Sequence, residues 1–264
     1  MLLKKIAVIG GDARFAVCAE LFAKKGCECA VFGLEKAENL LMATKSATIY
    51  DAVSGCDAII LPIPVSKDND QAFSPLSDFK ISLTDILENI KGDPIIFIGQ
   101  SKESVQNSQL SEFDIITYTA SKTFALLGSV PTAECAISTA TYHSRKCCCN
   151  SRYLIVGCGN VGKRLGLLSK NMGADVFISA RKKEDLAWIE AHGMIPLKTY
   201  DLSSEKVEFD VIFNTVPHMV LGEQVLKNLK GYPLIIELAS KPYGAGFKQK
   251  REYKKVRSAK KKDN

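Results

Sequence analysis

The chain has 264 residues, enough for one large or two ordinary domains, and 46% of them are hydrophobic, as in a globular protein. It contains no run of about 18 apolar residues, so a membrane-spanning helix is not expected, and its N-terminus lacks the pattern of a secretory signal peptide. The formal net charge of +6 comes from residues 248–264, which carry nine Lys and Arg against two acidic residues, so the near-neutral body does not predict a nucleic-acid-binding surface.

The cysteines give a weak signal. There are nine, an odd number, and none lies in a paired C-x-x-C arrangement. The runs CEC (27–29) and CCC (147–149) lack histidines at zinc-ligand spacing, so no metal site is predicted. Reduced thiols in a cytoplasmic protein are the expected state.

The first half of the chain alternates short apolar runs with helical patterns. Between the first two runs Phe15, Cys18, Ala19 and Phe22 recur at helical spacing, and Gly26 is a suitable helix end. Apolar strands joined by helices are typical of a parallel sheet covered on both faces. The predicted strands are 5–10, 29–33, 57–65, 94–99 and 114–119.

The same pattern restarts in the second half, where a helix carries Val161, Leu165, Leu168 and Met172 on one stripe and ends at Gly173. The predicted strands there are 152–157, 175–180, 194–200, 210–216 and 233–239. The prediction is an α/β protein with two Rossmann-like, doubly wound parallel-sheet domains and a ligand cleft between them.

The domain prediction places a substrate-side domain at 1–128 and a cofactor-binding domain at 151–247. Between them, 129–150 form a bridging helix and linker, with Ser129 or Thr132 near the helix cap and Pro131 in its first turn. Residues 248–264 are rich in lysine and poor in apolar groups, which predicts a basic disordered tail.

A glycine-rich turn, GCGNVG at 157–162, lies between a predicted strand and a predicted helix in G-x-G-x-x-G spacing. In dinucleotide-binding folds Gly157 would allow the tight turn, Gly159 the approach of a pyrophosphate, and Gly162 close packing of helix on strand. The helix N-terminus offers N–H groups and a positive dipole end to phosphates. We predict a dinucleotide site here; the alternative is a turn whose glycines serve only the backbone.

The residues after the next predicted strand favour NADP over NAD. Where an NAD site carries an acidic residue for the ribose hydroxyls, this chain has Ala180, Arg181 and Lys182. A guanidinium binds a phosphate bidentately, whereas a carboxylate repels it. The alternative is an ordinary solvated run of charges.

The first strand of the chain also ends in glycines, in GGDAR at 10–14, but the third glycine of the motif is missing. Asp12 and Arg14 occupy the space that a pyrophosphate would need. This turn is therefore a poor dinucleotide site, and Arg14 is expected to bind a small carboxylate. Asp12 is either a substrate contact or a simple helix N-cap.

An ordered set of motifs, over residues 4 to about 247, resembles the family of the dipicolinate synthase A subunit from spore-forming bacteria. The motifs are KIAVIGGDAR near the N-terminus, IILPIPV (59–65), SVPTAECAI (129–137), VGCGNVGKRL (156–165), ISARKKEDLAWIEAHGMIP (178–196), FNTVPHMVL (213–221) and ELASKPYGAGF (237–247).

The resemblance implies an NADP-dependent oxidoreductase that oxidises a dihydrodipicolinate-type precursor to dipicolinate (pyridine-2,6-dicarboxylate) for spore formation, at a branch of the diaminopimelate/lysine pathway. It also implies that the partner is the flavoprotein-like B subunit of dipicolinate synthase, and that the protein works in the cytoplasm of the mother cell. The oligomeric state stays open, a homo-oligomer included.

The resemblance assigns residues to two sites, and it identifies no proton-transfer residue and no metal. The implied cofactor contacts are Gly157, Gly159, Asn160, Val161, Gly162, Ala180, Arg181, Lys182, Thr215, Val216, Pro217, Ala239 and Ser240. The candidate substrate contacts are Asp12, Arg14, Pro62, Ser66, Ser129 and Thr132. More than one of these is needed, because the ligand has two carboxylates.

The C-terminus departs from the family, which continues after 239–242 with a strand, a Pro/Gly loop and a closing helix. This chain enters the lysine-rich segment 248–264, which lacks a helical apolar stripe. A truncated or altered C-terminus is therefore expected.

Two other functions stay open at this point. A generic NADP-dependent 2-hydroxy-acid or amino-acid dehydrogenase needs a catalytic His or Lys beside the nicotinamide, and His218 is the best placed candidate. A non-catalytic NADP-binding subunit would bind cofactor without a complete active site.

Overall fold

The computed structural model of the chain describes residues 3–66, 71–99, 110, 113–204, 206–239 and 255–257. It divides into two compact units, Met1–Phe124 and Ala125–Asn264, and each contains one six-stranded, wholly parallel sheet. The prediction of two parallel-sheet α/β domains is confirmed, whereas the cleft between them stays a prediction. In the part of the chain so described, no helix has the length and apolar character needed to cross a bilayer.

The first domain has the strand order β3-β2-β1-β4-β5-β6. Its strands are β1 (Lys5–Ile9), β2 (Glu28–Phe32), β3 (Thr44–Lys45), β4 (Ala58–Ile60), β5 (Ile95–Ile98) and β6 (Ile115–Thr117). Its helices are α1 (Ala13–Lys24), α2 (Ile49–Val53) and α3 (Leu83–Glu88).

Helix α4 (Lys122–Ser144) leads into the second domain, whose strand order β12-β11-β10-β7-β8-β9 repeats the plan of the first. Its strands are β7 (Arg152–Val156), β8 (Asp175–Ala180), β9 (Ile195–Lys198), β10 (Val211–Asn214), β11 (Leu234–Glu237) and β12 (Lys255–Arg257). Its helices are α5 (Asn160–Asn171), α6 (Lys183–Ala191) and α7 (Glu223–Asn228), and a 3-10 helix spans Thr199–Ser204.

This strand order is that of dinucleotide-binding domains, in which ligands lie beyond the carboxyl ends of the strands, where the order reverses. The reversal falls between β1 and β4 in the first sheet and between β7 and β10 in the second. The two glycine turns follow β1 and β7. Each therefore lies at the place in its own domain where such a fold binds a ligand.

Each sheet is covered by apolar side chains on both faces. In β1, Ala7 and Ile9 belong to one buried cluster and Ile6 and Val8 to another, so successive residues of one strand serve opposite layers. The second sheet divides in the same way into two buried clusters. This two-sided burial explains why the strands are continuously apolar rather than alternating.

An aspartate forms an equivalent polar contact within each domain, at the amino ends of the strands. In the first domain the carboxylate of Asp57, just before β4, accepts hydrogen bonds from the backbone N–H groups of Lys4 (2.7 Å) and Lys5 (2.9 Å). In the second, the carboxylate of Asp210, just before β10, accepts the backbone N–H of Arg152 at 2.8 Å. The aspartates thus connect β1 to β4 in the first domain and β7 to β10 in the second, at the end of the sheet opposite the glycine turn.

Helix α4 corrects one prediction. It begins at Lys122 and runs through Pro131, so the predicted helix start at Ser129 or Thr132 is wrong. The hydroxyl of Ser129 donates to the carbonyl of Leu126 (2.6 Å) and that of Thr132 to the carbonyl of Gly128 (2.8 Å). Pro131 supplies no N–H to the carbonyl of Leu127, four residues earlier, and these two hydroxyl bonds are accepted by the carbonyls on either side of it.

The second half of α4 is part of the second domain. Ala133, Ala136 and Ala140 are fully buried in a core cluster of that domain. The division between the two units falls after Phe124, before the predicted boundary at 128, and the helical part of the predicted bridging segment packs in the core of the second domain.

Most of the predicted tail lies outside the described residues. Within it, Lys255–Arg257 form β12, which pairs in parallel with β11 at the edge of the second sheet. At these three residues the structure differs from the predicted disordered tail. The short strand β3 was also not predicted; it contains two residues and no apolar side chain.

A buried carboxylate in the first domain leads to a prediction about stability. Glu20 of α1 is 7% exposed, and its Oε1 accepts the backbone N–H groups of Leu41, Met42 and Ala43 at 2.8 to 2.9 Å. These bonds, that of Ala43 foremost, hold the pKa of Glu20 below its usual value. We expect Glu20→Gln to lower the melting temperature by a few degrees at pH 7, because a neutral amide accepts these bonds less strongly.

The same contact makes that effect depend on pH. Folding lowers the pKa of Glu20, so its stabilisation is present above the pKa of an unfolded glutamate, about 4.3, and is lost as the pH falls through the folded-state pKa. Melting curves from pH 7 to pH 3 should show the mutant and the wild type converge at the acid end. The exposed Glu38 provides the control, Glu38→Gln, for which no such gap is expected. A gap for Glu20→Gln that is independent of pH would contradict the prediction.

Candidate functional site

The glycine turn after β7 is built so that two of its positions admit no side chain. Gly157 has a φ of +102°, and a Cβ there would lie 2.5 Å from Cγ2 of Val216 and 2.7 Å from Oγ1 of Thr215. A Cβ on Gly162 would collide with the carbonyl oxygen of Gly157. Gly157 therefore permits the tight turn, and Gly162 permits α5 to approach that turn closely, as the motif predicted.

Gly159 leaves the N-terminus of α5 uncovered. It is the N-cap of this twelve-residue helix, and no side chain caps it. A Cβ at Gly159 would meet no atom within 4 Å, so the space in front of the helix is open. The first backbone N–H groups of α5 and its positive dipole end are thus accessible to an anion, and they fit the pyrophosphate of a dinucleotide.

A pocket of about 310 Å³ lies in front of this helix, within the second domain. The predicted cofactor residues that line it are Gly157, Gly159, Ala180, Arg181, Lys182, Thr215, Val216 and Pro217. Of the others, Asn160 and Val161 open α5 and Gly162 packs beneath the turn. Ala239 follows β11, and Ser240 lies outside the described residues.

The rim of the pocket carries three charged side chains, Arg181, Lys182 and Asp185. Asp185, in the first turn of α6, pairs with Lys163 of α5, with 3.1 Å between Oδ1 and Nζ. Arg181 and Lys182 are exposed and form no ion pair within the described residues. Two unpaired cations at the end of β8 suit the additional phosphate of NADP.

Two polar residues beneath the pocket were missed by sequence reasoning. Asn214, fully buried at the end of β10, donates from Nδ2 to Oε1 of Glu237, which is 4% exposed at the end of β11, at 2.7 Å. The same amide accepts the N–H of Val216 (3.3 Å), and Oε1 of Glu237 accepts that of Ala239 (3.3 Å). The pair therefore holds the starts of the two loops that carry the predicted cofactor contacts Thr215 to Pro217 and Ala239.

Two further pocket features have no clear sequence signal. Burial, followed by the charge of Asp185, raises the pKa of the Cys158 thiol to about 11, so this thiol is neutral at physiological pH. The pairing of Lys163 with Asp185 joins residues on different helices. Lys163 directly follows the glycine motif, but Asp185 lies 22 positions further along the chain, so their contact has no local signal in the sequence.

His218 lines the pocket and is exposed. Its ring makes no hydrogen bond to any of the residues that the structure describes. A catalytic histidine is ordinarily oriented by a partner on its second ring nitrogen. A catalytic role for His218 therefore stays a prediction. No group of three or more His, Cys, Asp or Glu side chains in the described ranges could hold a metal ion.

The glycine turn of the first domain is closed to a phosphate by its own side chains. Asp12 is the N-cap of α1, the position that Gly159 has in α5, and its carboxylate accepts the N–H of Arg14 at 3.1 Å. Phe15 stands where the third glycine would be, and a Cβ on Gly11 would collide with its ring. The carboxylate thus takes the place of an anionic ligand at this helix N-terminus.

Arg14 lies beside this turn, with 63% of its side chain exposed. Its Nε and Nη2 each donate to Asp12 at 2.9 Å, and Nη2 also lies 3.5 Å from the carbonyl oxygen of Ile63, after β4. The hydrogen bonds that Arg14 donates to Asp12 raise the pKa of Arg14, which stays charged. Its Nη1 makes no hydrogen bond within the described residues, so this edge of the guanidinium is available to a carboxylate.

The other predicted substrate residues divide between the two domains. Pro62 is buried after β4, and Ser66 forms a bridge with Ala72 in the first domain. Ser129 is 1% exposed in the body of α4 and Thr132 bonds to its own helix, so neither is presented as a helix-start donor. Tyr118, which the sequence did not suggest, lies after β6 with its hydroxyl 3.4 Å from the carbonyl oxygen of Leu61.

Comparison with known proteins finds similarity to dipicolinate synthase. Residues 5–117 match the model of the N-terminal domain of the dipicolinate synthase A subunit. The A subunit of dipicolinate synthase from Bacillus subtilis (strain 168) is 27% identical over 247 residues, which are 92% of this chain and 83% of that protein. This chain is a relative of the dipicolinate synthase A subunit.

Two crystal structures of this family extend the likeness to the fold. The dipicolinate synthase A chain from Bacillus subtilis has a TM-score of 0.83 and 26% identity, covering 97% of this chain and 88% of that one. The corresponding structure from Bacillus halodurans has a TM-score of 0.81 and 26% identity, covering 96% and 88%. The architecture of two parallel-sheet domains described above is therefore that of this family.

Proposed function

We propose that this chain is an NADP-dependent oxidoreductase of the dipicolinate synthase type, which oxidises a dihydrodipicolinate-type precursor to dipicolinate. The observation that carries the proposal is the uncapped N-terminus of α5 behind a glycine-lined pocket, with Arg181 and Lys182 unpaired at its rim. The relationship over 92% of the chain supports the substrate class, since the relative's name states its product.

The second domain would bind and orient the cofactor. The N–H groups at the start of α5 would bind the pyrophosphate, and Arg181 and Lys182 the 2′-phosphate. The backbone of 215–217 would pass beneath the adenine ribose and the nicotinamide, and Ala239 and Ser240 are proposed as contacts near the nicotinamide end. The Asn214–Glu237 pair would keep both loops in place. When bound, NADP supplies the hydride acceptor.

The first domain would contribute to substrate binding through Arg14. Asp12 holds the guanidinium by two bonds and so fixes its plane, which leaves Nη1 for a substrate carboxylate. Pro62 and Ser66 belong to the same carboxyl edge of the first sheet. Aromatising a dihydropyridine is strongly favourable, so orientation of a planar dicarboxylate would supply much of the rate. No proton-transfer residue is assigned.

A second candidate function is that of an NADP-dependent dehydrogenase acting on a 2-hydroxy acid or an amino acid, because His218 lines the pocket. It is the weaker one, since nothing within the described residues orients the imidazole. A non-catalytic NADP-binding protein is distinguished from both by experiment.

The test is a direct assay of the purified chain. We expect the chain to convert NADP⁺ and dihydrodipicolinate into equal amounts of NADPH and dipicolinate, the latter measured by its ultraviolet absorbance. NAD⁺ should be a much less effective cofactor. Addition of a separately purified B subunit of dipicolinate synthase should show whether the chain acts alone. NADP binding without any turnover, in the presence or absence of that partner, would favour the non-catalytic function. Turnover of 2-hydroxy acids, abolished in His218→Ala, would favour the second candidate.

The biological setting follows the same proposal. The name of the relative designates one component of a larger enzyme, which implies a partner, and we propose that this partner is the flavoprotein-like B subunit of dipicolinate synthase. The proposed place of action is the cytoplasm of the mother cell during sporulation. Size-exclusion chromatography with and without the partner would also reveal any homo-oligomer.

A further inference from the structure

The pocket rim carries a negative charge where the cofactor's additional phosphate is proposed to bind. Asp185 lines the pocket together with Arg181 and Lys182, and 27% of its side chain is exposed. It lies in the first turn of α6. An isolated carboxylate at this position would repel a 2′-phosphate, which carries up to two negative charges.

Lys163 offsets that charge. Its Nζ lies 3.1 Å from Oδ1 of Asp185 and 5.0 Å from the centre of the Trp188 ring, one turn further along α6. The ion pair and the cation–π contact hold the ammonium over the start of α6. Lys163 itself does not line the pocket.

We propose that Lys163 is a specificity-determining residue, which allows the pocket to accept NADP by neutralising Asp185 and leaving Arg181 and Lys182 free for the phosphate. The proposal rests on the cofactor site proposed above. It adds to that site Lys163, which affects cofactor binding through its contact with Asp185. Without Lys163, Asp185 would draw the nearby cations to itself and would repel the 2′-phosphate. NAD lacks that phosphate, so its binding should hardly respond.

Two simpler roles give different expectations. If Lys163 and Asp185 only tie α5 to α6, removing either should change the affinities for NADP and NAD equally. If Lys163 contacts the phosphate directly, its loss should not be repaired by removing Asp185. The two single substitutions and their combination therefore separate the three roles.

The experiment is a calorimetric titration of NADP⁺ and NAD⁺ into the wild type, Lys163→Met, Asp185→Asn and the double variant. We expect Lys163→Met to weaken NADP binding by about three- to tenfold and Asp185→Asn to strengthen it by a similar factor, with NAD within about twofold in both. The double variant should return to about the wild-type NADP affinity. Lys170→Met is the control, because it makes the same charge change near the other end of α5, where the lysine contacts the carbonyl of His192 and not Asp185.

Three results would overturn the proposal. The first is an equal change for both cofactors in the single variants, and the second is a double variant as weak as Lys163→Met. The third is a wild type that binds neither cofactor, which would refute the proposed cofactor site as well. The first two leave that site intact. Melting temperatures of all variants, measured without cofactor, would separate loss of binding from loss of folding.

Discussion

Replacing Arg181 with alanine is expected to lower the affinity for NADP by about 10- to 150-fold, while the affinity for NAD changes little. Arg181 follows β8 at the rim of the pocket, and it has no ion-pair partner among the described residues. A charge-assisted, bidentate contact with a phosphate contributes about 1.5–3 kcal/mol, which corresponds to that range of affinity. The measurement is a calorimetric titration with both cofactors.

The neighbouring Lys183 provides a matched control for Arg181. It is exposed on the same turn but does not line the pocket, so Lys183→Ala should leave the ratio of the two affinities unchanged. The affinity for NADP should also depend less steeply on salt concentration in Arg181→Ala, because one charge contact that salt screens is lost. An unchanged ratio in Arg181→Ala would show that the 2′-phosphate is bound elsewhere or not at all.

Replacing Arg14 with alanine is expected to weaken binding of dipicolinate by about tenfold or more and to leave NADP affinity within about twofold. Its guanidinium is held by Asp12 at 2.9 Å and exposes Nη1, so one edge is preorganised for a carboxylate. The expected loss of binding free energy lies at the lower end of the range for a hydrogen bond to a charged group, because the Arg14 side chain is 63% exposed and solvent screens its charge.

Titration of dipicolinate and of NADP⁺ into the same variant checks the division of labour between the domains. Lys25→Ala, at the other end of α1, removes an exposed cation without touching the turn and should alter neither affinity. If Arg14→Ala weakened NADP instead of dipicolinate, the first glycine turn would be the nucleotide site. The carboxylate of Asp12 at the N-cap of α1 makes that outcome unexpected.

Local patterns in the sequence were enough to predict the architecture and to distinguish the glycine turn after β7 from the one after β1. Apolar runs separated by helical periods predicted the long strands, since a strand buried on both faces must be apolar throughout. The spacing of Gly157, Gly159 and Gly162 predicted a turn that tolerates no side chain at two positions. Asp12 in the corresponding place of the first turn indicated that no pyrophosphate binds there. All of these signals lie within about ten residues of chain.

The course of the helices was less predictable, because their packing partners decide it. Helix α4 passes through Pro131 while its alanines are buried in the core of the second domain, so tertiary packing offsets the loss of one helical hydrogen bond. Helix α5 buries Gly162, Leu165, Gly166 and Ser169, a stripe of mostly small residues that a search for apolar ones does not find. A Cβ on Gly166 would lie 2.6 Å from Cδ1 of Ile178, so a larger residue there would require the buried side chain of Ile178 to move.

Only the tertiary structure decided which charged and polar groups meet at the cofactor site. Asn214 contacts Glu237 because β10 and β11 are neighbours in the sheet, and Lys163 reaches Asp185 because α5 and α6 begin beside each other at the same edge. The sequence contained all four residues, but a contact over 22 or 23 positions depends on strand order and helix packing, which no local pattern specifies. The sequence by itself predicted the kind of fold and the glycine turn at which we propose that the cofactor phosphates bind, and packing decided which charged side chains meet beside that turn.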